Sequence, residues 1–270
     1  MSSMGVVDRI NTLIDGLSRQ GAVLRALILR ELQSRFGRNN IGFLWVIVEP
    51  MLFATVITVL HTMTRYARHA PGISPFTFTL TGYTLFIIFR NTYNRAETAI
   101  HSSEGMLYHG MITPLDIMLS KAIVETLACL SALLILQSVG IMLGLSTFPA
   151  RPLYLFAAIA LIAWWSFALS LIVASYTYDN HVLSRLVHPS SYFAVPLSGA
   201  FVTMSFLPRW AYEAMSWNPM MIMFETARYG QFFASPPDFI YLGYAVAVCA
   251  GLTYWGLIAI RRVREKIHVN

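Results

Sequence analysis

Apolar runs of near membrane-crossing length recur along this chain, parted by short polar stretches. They fall at about 41–63, 75–89, 122–145, 153–176, 189–207 and 239–260. Most are close to the roughly 20 residues that cross about 30 Å of hydrocarbon as a helix. None alternates apolar and polar residues as a barrel strand does. Backbone polar groups in lipid must satisfy one another, so each run predicts a helix. The pattern predicts an all-α integral membrane protein of about six transmembrane helices.

The polar stretches have patterns of their own. In residues 1–39, Leu24, Leu27, Ile28, Leu32 and Phe36 follow helical spacing, with Arg30, Gln33 and Ser34 on the other side. This is the pattern of an amphipathic helix lying at a membrane surface. Glu31 and Arg35 stand i,i+4 in its apolar sector, placed to pair or to meet another protein. A polar stretch over 91–116 carries Arg95, Glu97, His101, Glu104 and His109. The segment 208–238 is broken by Pro208, by Trp217-Asn218-Pro219 and by Pro236-Pro237. Its apolar middle is too short to cross twice, so it predicts a re-entrant or interfacial helical segment before the last span. Residues 261–270 form a basic tail.

Composition agrees with the pattern. Hydrophobic residues are 56% of the 270 and charged residues 12%, with a mean hydropathy of +0.59. Soluble domains carry about twice that share of charge. A net charge of +6 could signal nucleic acid, but placement says otherwise. Fourteen of the 19 Lys and Arg fall in segments that share a side with both termini; the other five are Arg65, Arg68, Arg151, Arg209 and Arg228. The positive-inside rule then makes both termini cytoplasmic, and no nucleic-acid partner is expected. The mixed, polar start shows no cleavable signal peptide. Cys129 and Cys249 lie within apolar runs and read as buried thiols, with no metal-ligand spacing.

The chemistry absent from the sequence narrows function. The two lysines, Lys121 and Lys266, follow Ser120 and Glu265, so there is no Gly-Lys-Ser/Thr of a P-loop. A zinc helix and a nucleophile elbow are also missing, and no catalytic or metal-binding residue is expected. An enzyme of glycan or lipid assembly, or a channel or scaffold without energy coupling, would have no site to name. What remains are costly polar groups. Glu49 stands inside the first run beside Pro50, which removes a backbone donor. An ionisable group there faces a partner or a watery cavity. Glu225 and Arg228 are spaced i,i+3 to share a helix face after Asn218-Pro219. Lys121 and Glu125, four apart, stand at the start of the third run, placed for snorkelling toward headgroups.

Leu29-Arg30-Glu31, Arg35-Phe36-Gly37 and the run Gly42 to Pro50 (GFLWVIVEP) resemble the signature of ABC exporter permeases for polysaccharides. Trp217-Asn218-Pro219 followed by Glu225 and Arg228 resembles that family's signature before its last span. Over nearly its whole length the chain is most similar to capsular-polysaccharide export permeases of Gram-negative inner membranes. O-antigen and teichoic-acid exporters are the neighbouring alternative. The resemblance implies a homodimer paired with two copies of a separate P-loop ATPase that binds ATP-Mg, with no cofactor in this chain. It also implies a lipid-linked polysaccharide as cargo, a periplasmic adaptor and an outer-membrane channel. On that view Arg30, Arg35, Arg38, Trp45, Glu49, Pro50 and Arg90 belong to the glycan path, the arginines near its cytoplasmic mouth. Glu31, Arg35, Glu97, His101, Glu104 and His109 would couple to the ATPase.

Overall fold

The computed structural model describes residues 6–36, 72–107 and 112–267, with Val48, Glu49, Met51, Leu52, Phe53, Thr55, Val56, Thr58 and Val59 as helical pieces between. Most of the first expected span therefore lies outside the described residues. So do Arg38, Trp45, Pro50 and His109, and the Arg35 side chain. Among the described residues every regular element is a helix.

Helix α1 spans Val6–Phe36. Leu27 is buried, Leu24, Ile28 and Leu32 are half-buried, and Arg30, Gln33 and Ser34 are exposed, as the amphipathic spacing requires. Helix α2 (Pro75–Ala99) is followed by a 3-10 turn at His101–Ser103 and a short helix α3 (Glu104–Leu107). Then come α4 (Pro114–Met142), α5 (Pro152–Thr177) and α6 (His181–Ser198). A 3-10 turn at Met204–Phe206 leads to α7 (Arg209–Met215), α8 (Pro219–Gln231) and α9 (Leu242–Ile267).

Local chemistry sets the starts. Four helices begin with proline at the first position, after Ser74, Thr113, Arg151 and Asn218. Proline there loses only an amide that has no helical partner. Thr113 and Asp116 close a capping box: the Asp116 amide donates to Thr113 Oγ1 at 3.3 Å, and the Thr113 amide to Asp116 Oδ2 at 2.9 Å. Helix α6 starts on the Asn180 cap and stops at Gly199, whose φ of 80° is the left-handed stop that glycine takes without strain.

Helices α4, α5 and α9 are long and apolar enough to cross a membrane. Helix α2 has a different composition because it is wrapped by protein: every residue from Thr77 to Phe89 is buried, four of them threonines. It also continues past Arg90 to Ala99, where the hydropathy pattern ended the run at Phe89. Helix formation does not stop where the lipid does, since charged residues such as Arg95 and Glu97 are good helix formers. For the same reason α4 begins at Pro114 rather than 122; α6 occupies 181–198 rather than 189–207 because it starts on the Asn180 cap and stops at Gly199.

Helix α5 is the hub, packed against α2, α4, α6, α8 and α9. The main apolar core runs between α2, α5 and α8 through Leu80, Phe86, Ile162, Met223 and Phe224, with Cys249 from α9. One end of the bundle gathers α1, the end of α2, α3 and the starts of α4 and α6. The opposite end gathers the start of α2, the 143–151 turn and α8.

Candidate functional site

At the α1 end, polar groups stitch three helices together. Glu31 of α1 receives Lys121 Nζ of α4 at 3.3 Å and Arg95 Nη1 of α2 at 3.6 Å. Arg95 also stands 3.8 Å from Glu125 of α4, and Asn91 Nδ2 donates to Glu125 at 2.7 Å. Glu125 is 1% exposed, so an unmatched charge would be costly; Asn91 and Arg95 offset it. Gln20 of α1 donates to Asp116 at the start of α4, and Arg30 reaches Met106 of α3, its Nη1 2.8 Å from Sδ. On the far flank Glu97 accepts from Ser184 and lies 3.4 Å from His188 Nε2, tying α2 to α6. His101 pairs with Glu104 at 2.8 Å and stacks on Tyr178 at 4.7 Å between ring centres. Among the described residues of this end these contacts are ion pairs and hydrogen bonds between helices. The charges hold α1 against α2 and α4, and α2 against α6.

Midway along the bundle the carboxylate of Glu49 has a partner. Tyr83 of α2, 3% exposed, donates its hydroxyl to Glu49 Oε1 at 3.1 Å. Its ring stacks on Phe53 at 4.4 Å and meets Phe201 at 6.1 Å. Nearer the α1 end, Arg90 donates to the Tyr192 hydroxyl at 3.0 Å and lies 4.8 Å from that ring's centre. Tyr192 and Phe193 of α6 are exposed, so α2 and α6 present an aromatic face with a basic group set into it. Aromatic faces stack on the CH faces of sugars, and a guanidinium supplies charge for anionic groups.

At the opposite end α8 carries the pair its spacing announced. Arg228 Nη1 donates to Glu225 Oε1 at 2.8 Å, with both side chains nearly excluded from solvent. Arg228 also donates to the Val202 carbonyl at 2.8 Å and to that of Gly199, and lies 4.4 Å from the centre of the Phe78 ring. Glu225 accepts from the Met204 amide at 2.9 Å. The pair thus satisfies the irregular backbone after α6, where no helical partners exist. Asn218 caps α8 through the Met220 amide at 3.0 Å and donates to the Leu197 carbonyl at 2.6 Å. Trp217 is exposed, as a belt aromatic would be, and its carbonyl accepts from Tyr244. Arg151 donates to the Tyr229 and Phe232 carbonyls at 3.0 and 3.3 Å, closing the end of α8.

The structure therefore separates the expected sets. Glu49 and Arg90 lie along α2, whereas Arg30, expected at the path, sits beside α3. Lys121 and Glu125 do not pair with one another or reach freely outward; they face Glu31, Arg95 and Asn91. Tyr83, Tyr192, Arg95 and Arg151 join the expected site residues through these contacts. An isolated tyrosine in an apolar run carries no signal, whereas arginines that flank long apolar runs, such as Arg95 and Arg151, do.

Comparison with known proteins places this architecture. The profile of the ABC-2 type transporter family matches residues 22–232. The capsule polysaccharide export inner-membrane protein BexB of Haemophilus influenzae is 30% identical over 256 residues, covering 95% of this chain and 96% of its own length. CtrC of Neisseria meningitidis serogroup B, of the same description, is 33% identical over 218 residues, 81% of this chain and 82% of its own. The polysialic acid transport protein KpsM of Escherichia coli is 28% identical over 258 residues, 93% and 96% of the two chains. With a helical bundle matched from α1 to α8 and relatives aligned over most of both lengths, this chain belongs to the ABC-2 type transporter family.

Proposed function

We propose that this chain is the permease subunit of an ATP-driven exporter that moves lipid-linked capsular polysaccharide outward across a bacterial inner membrane. The observation that carries the reading is the match over most of the chain to the capsule polysaccharide export inner-membrane proteins BexB and CtrC. The absent P-loop supports it, because the energy must then come from a separate ATPase binding ATP-Mg. Two copies of the chain pair with two of that subunit and work with a periplasmic adaptor and an outer-membrane channel. The chain crosses six times, with both termini cytoplasmic, the first crossing over about 41–63 and α8 re-entrant from the periplasmic side. The α1 end, with Glu31, Arg35, Glu97, His101 and Glu104, receives the ATPase. The aromatic and basic faces near Glu49 and Arg90 line the path.

The test is a clean deletion of the gene. Surface capsule should vanish while polymer accumulates inside the cell, and this gene alone should restore export. Polymer missing from both places would make the chain part of synthesis. Loss of O-antigen in place of capsule would reassign the cargo.

A further inference from the structure

A second site lies where α5 ends, α6 begins and α9 leaves the bundle. A cavity of about 270 Å³ opens there, walled by Tyr176, Asp179, Asn180, Leu183, Arg262 and Lys266. Lys266 is held on one wall by Asp179. Arg262 makes no hydrogen bond or ion pair among the described residues, whereas its neighbour Arg261 is paired with Glu265 at 3.4 Å. Asn180 spends its carbonyl oxygen on the Val182 and Leu183 amides, at 3.0 and 3.3 Å, which leaves its NH₂ as a donor. The α6 amides are thereby capped, so any anion here is held by side chains. Below Arg262 on the same stripe of α9, Ile258 and Trp255 are exposed, and Leu183 offers an exposed apolar side chain from α6.

We propose that this cavity binds the phosphate of an anionic glycerophospholipid, with the acyl chains lying along Ile258 and Trp255. Two cations against one carboxylate leave the cavity net positive, and a guanidinium with no partner among the described residues matches phosphate with its planar fork. Basic pockets between spanning helices at the headgroup level are lipid-headgroup sites by this chemistry. Placing the cavity at the headgroup level rests on the membrane-spanning reading of α5, α6 and α9; its charge and shape do not. The site joins α9 to the α5–α6 corner, so a bound lipid would brace the basic tail against the bundle.

The exporter complex, purified in mild detergent and moved into nanodiscs of phosphatidylethanolamine and phosphatidylglycerol, is the material for the test. These discs contain no glycolipid and have no sidedness, so neither the cargo nor the orientation enters the result. Native mass spectrometry on ejection should show phosphatidylglycerol retained over phosphatidylethanolamine. Arg262→Gln should lower that retention at least fivefold, Arg262→Lys should restore part of it, and Arg261→Gln should leave it unchanged. Inorganic phosphate at millimolar concentration should not displace the lipid. Displacement would make this a free-phosphate site and overturn the lipid proposal. Equal loss with Arg261→Gln would reduce the effect to tail charge, and wild-type retention in Arg262→Gln would remove the site. Failure of the gene-deletion test would leave these outcomes standing.

Discussion

The residues that matter most are charged groups with named partners inside an apolar body. Breaking a buried pair from one side costs about 3–5 kcal/mol, because the remaining charge is stranded. Arg228→Met strands Glu225 and also orphans the carbonyls of Gly199 and Val202. It should lower the thermal midpoint and yield of the purified chain well below those of Glu225→Gln, as read by fluorescence-detected gel filtration after heating. Equal effects would show that the carbonyl contacts of Arg228 carry little. Glu49 separates differently, since Gln keeps an acceptor for Tyr83 while removing the charge. If the charge serves transport, Glu49→Gln should cut surface capsule severalfold at matched expression, and Tyr83→Phe should cut it less. Silence in both would reduce the contact to packing. The sequence made the Glu225–Arg228 pair legible, because i,i+3 spacing on a helix after Asn-Pro is local information. It could not show Tyr83 reaching Glu49, since that contact joins positions 34 apart in the chain across two helices.

Among elements, α1 is the part whose docking is most exposed to test. Its amphipathic face was readable from spacing alone, and Leu27 is buried as that spacing requires. Its polar grip was not readable, because Glu31 meets Lys121 and Arg95 from two other helices. Glu31→Lys places like charges together there and should impair export while the chain still inserts. Adding Lys121→Glu should restore a measurable part, as surface capsule at matched expression would report. No recovery in the double variant would mean that Arg95, or the α1 surface itself, dominates. The helix class followed from apolar run length, whereas boundaries did not. Hydropathy reports only apolar run length, and α2 and α4 extend beyond their apolar runs into turns packed against neighbouring helices and stabilised by capping and charge pairs. Helix α8 was legible as too short to cross, but its burial against α2, α5, α6 and α9 is a tertiary fact.

For the molecule as a whole, the basic bias makes orientation testable. Cys129 and Cys249 are buried and should stay silent toward polar thiol reagents, so single added cysteines report cleanly. One placed at Lys266 should label only after the inner membrane is opened, and one at the exposed Asp238 should label from the periplasm. The reverse pattern would invert the orientation, and labelling of both from one side would break the span count. The central position of α5 also governs how this protein is made. Helix α2 leaves the ribosome with Thr77, Thr79, Thr81 and Thr84 on its surface, and the helix that covers much of it ends only at Thr177. At roughly 5–20 residues per second, synthesis takes on the order of 4–16 s to pass from Ala99 to Thr177. Through that interval a threonine-lined helix waits without its cover. Chains that stall before α5 would therefore leave those hydroxyls uncovered, a difference that separates an unfinished permease from a finished one.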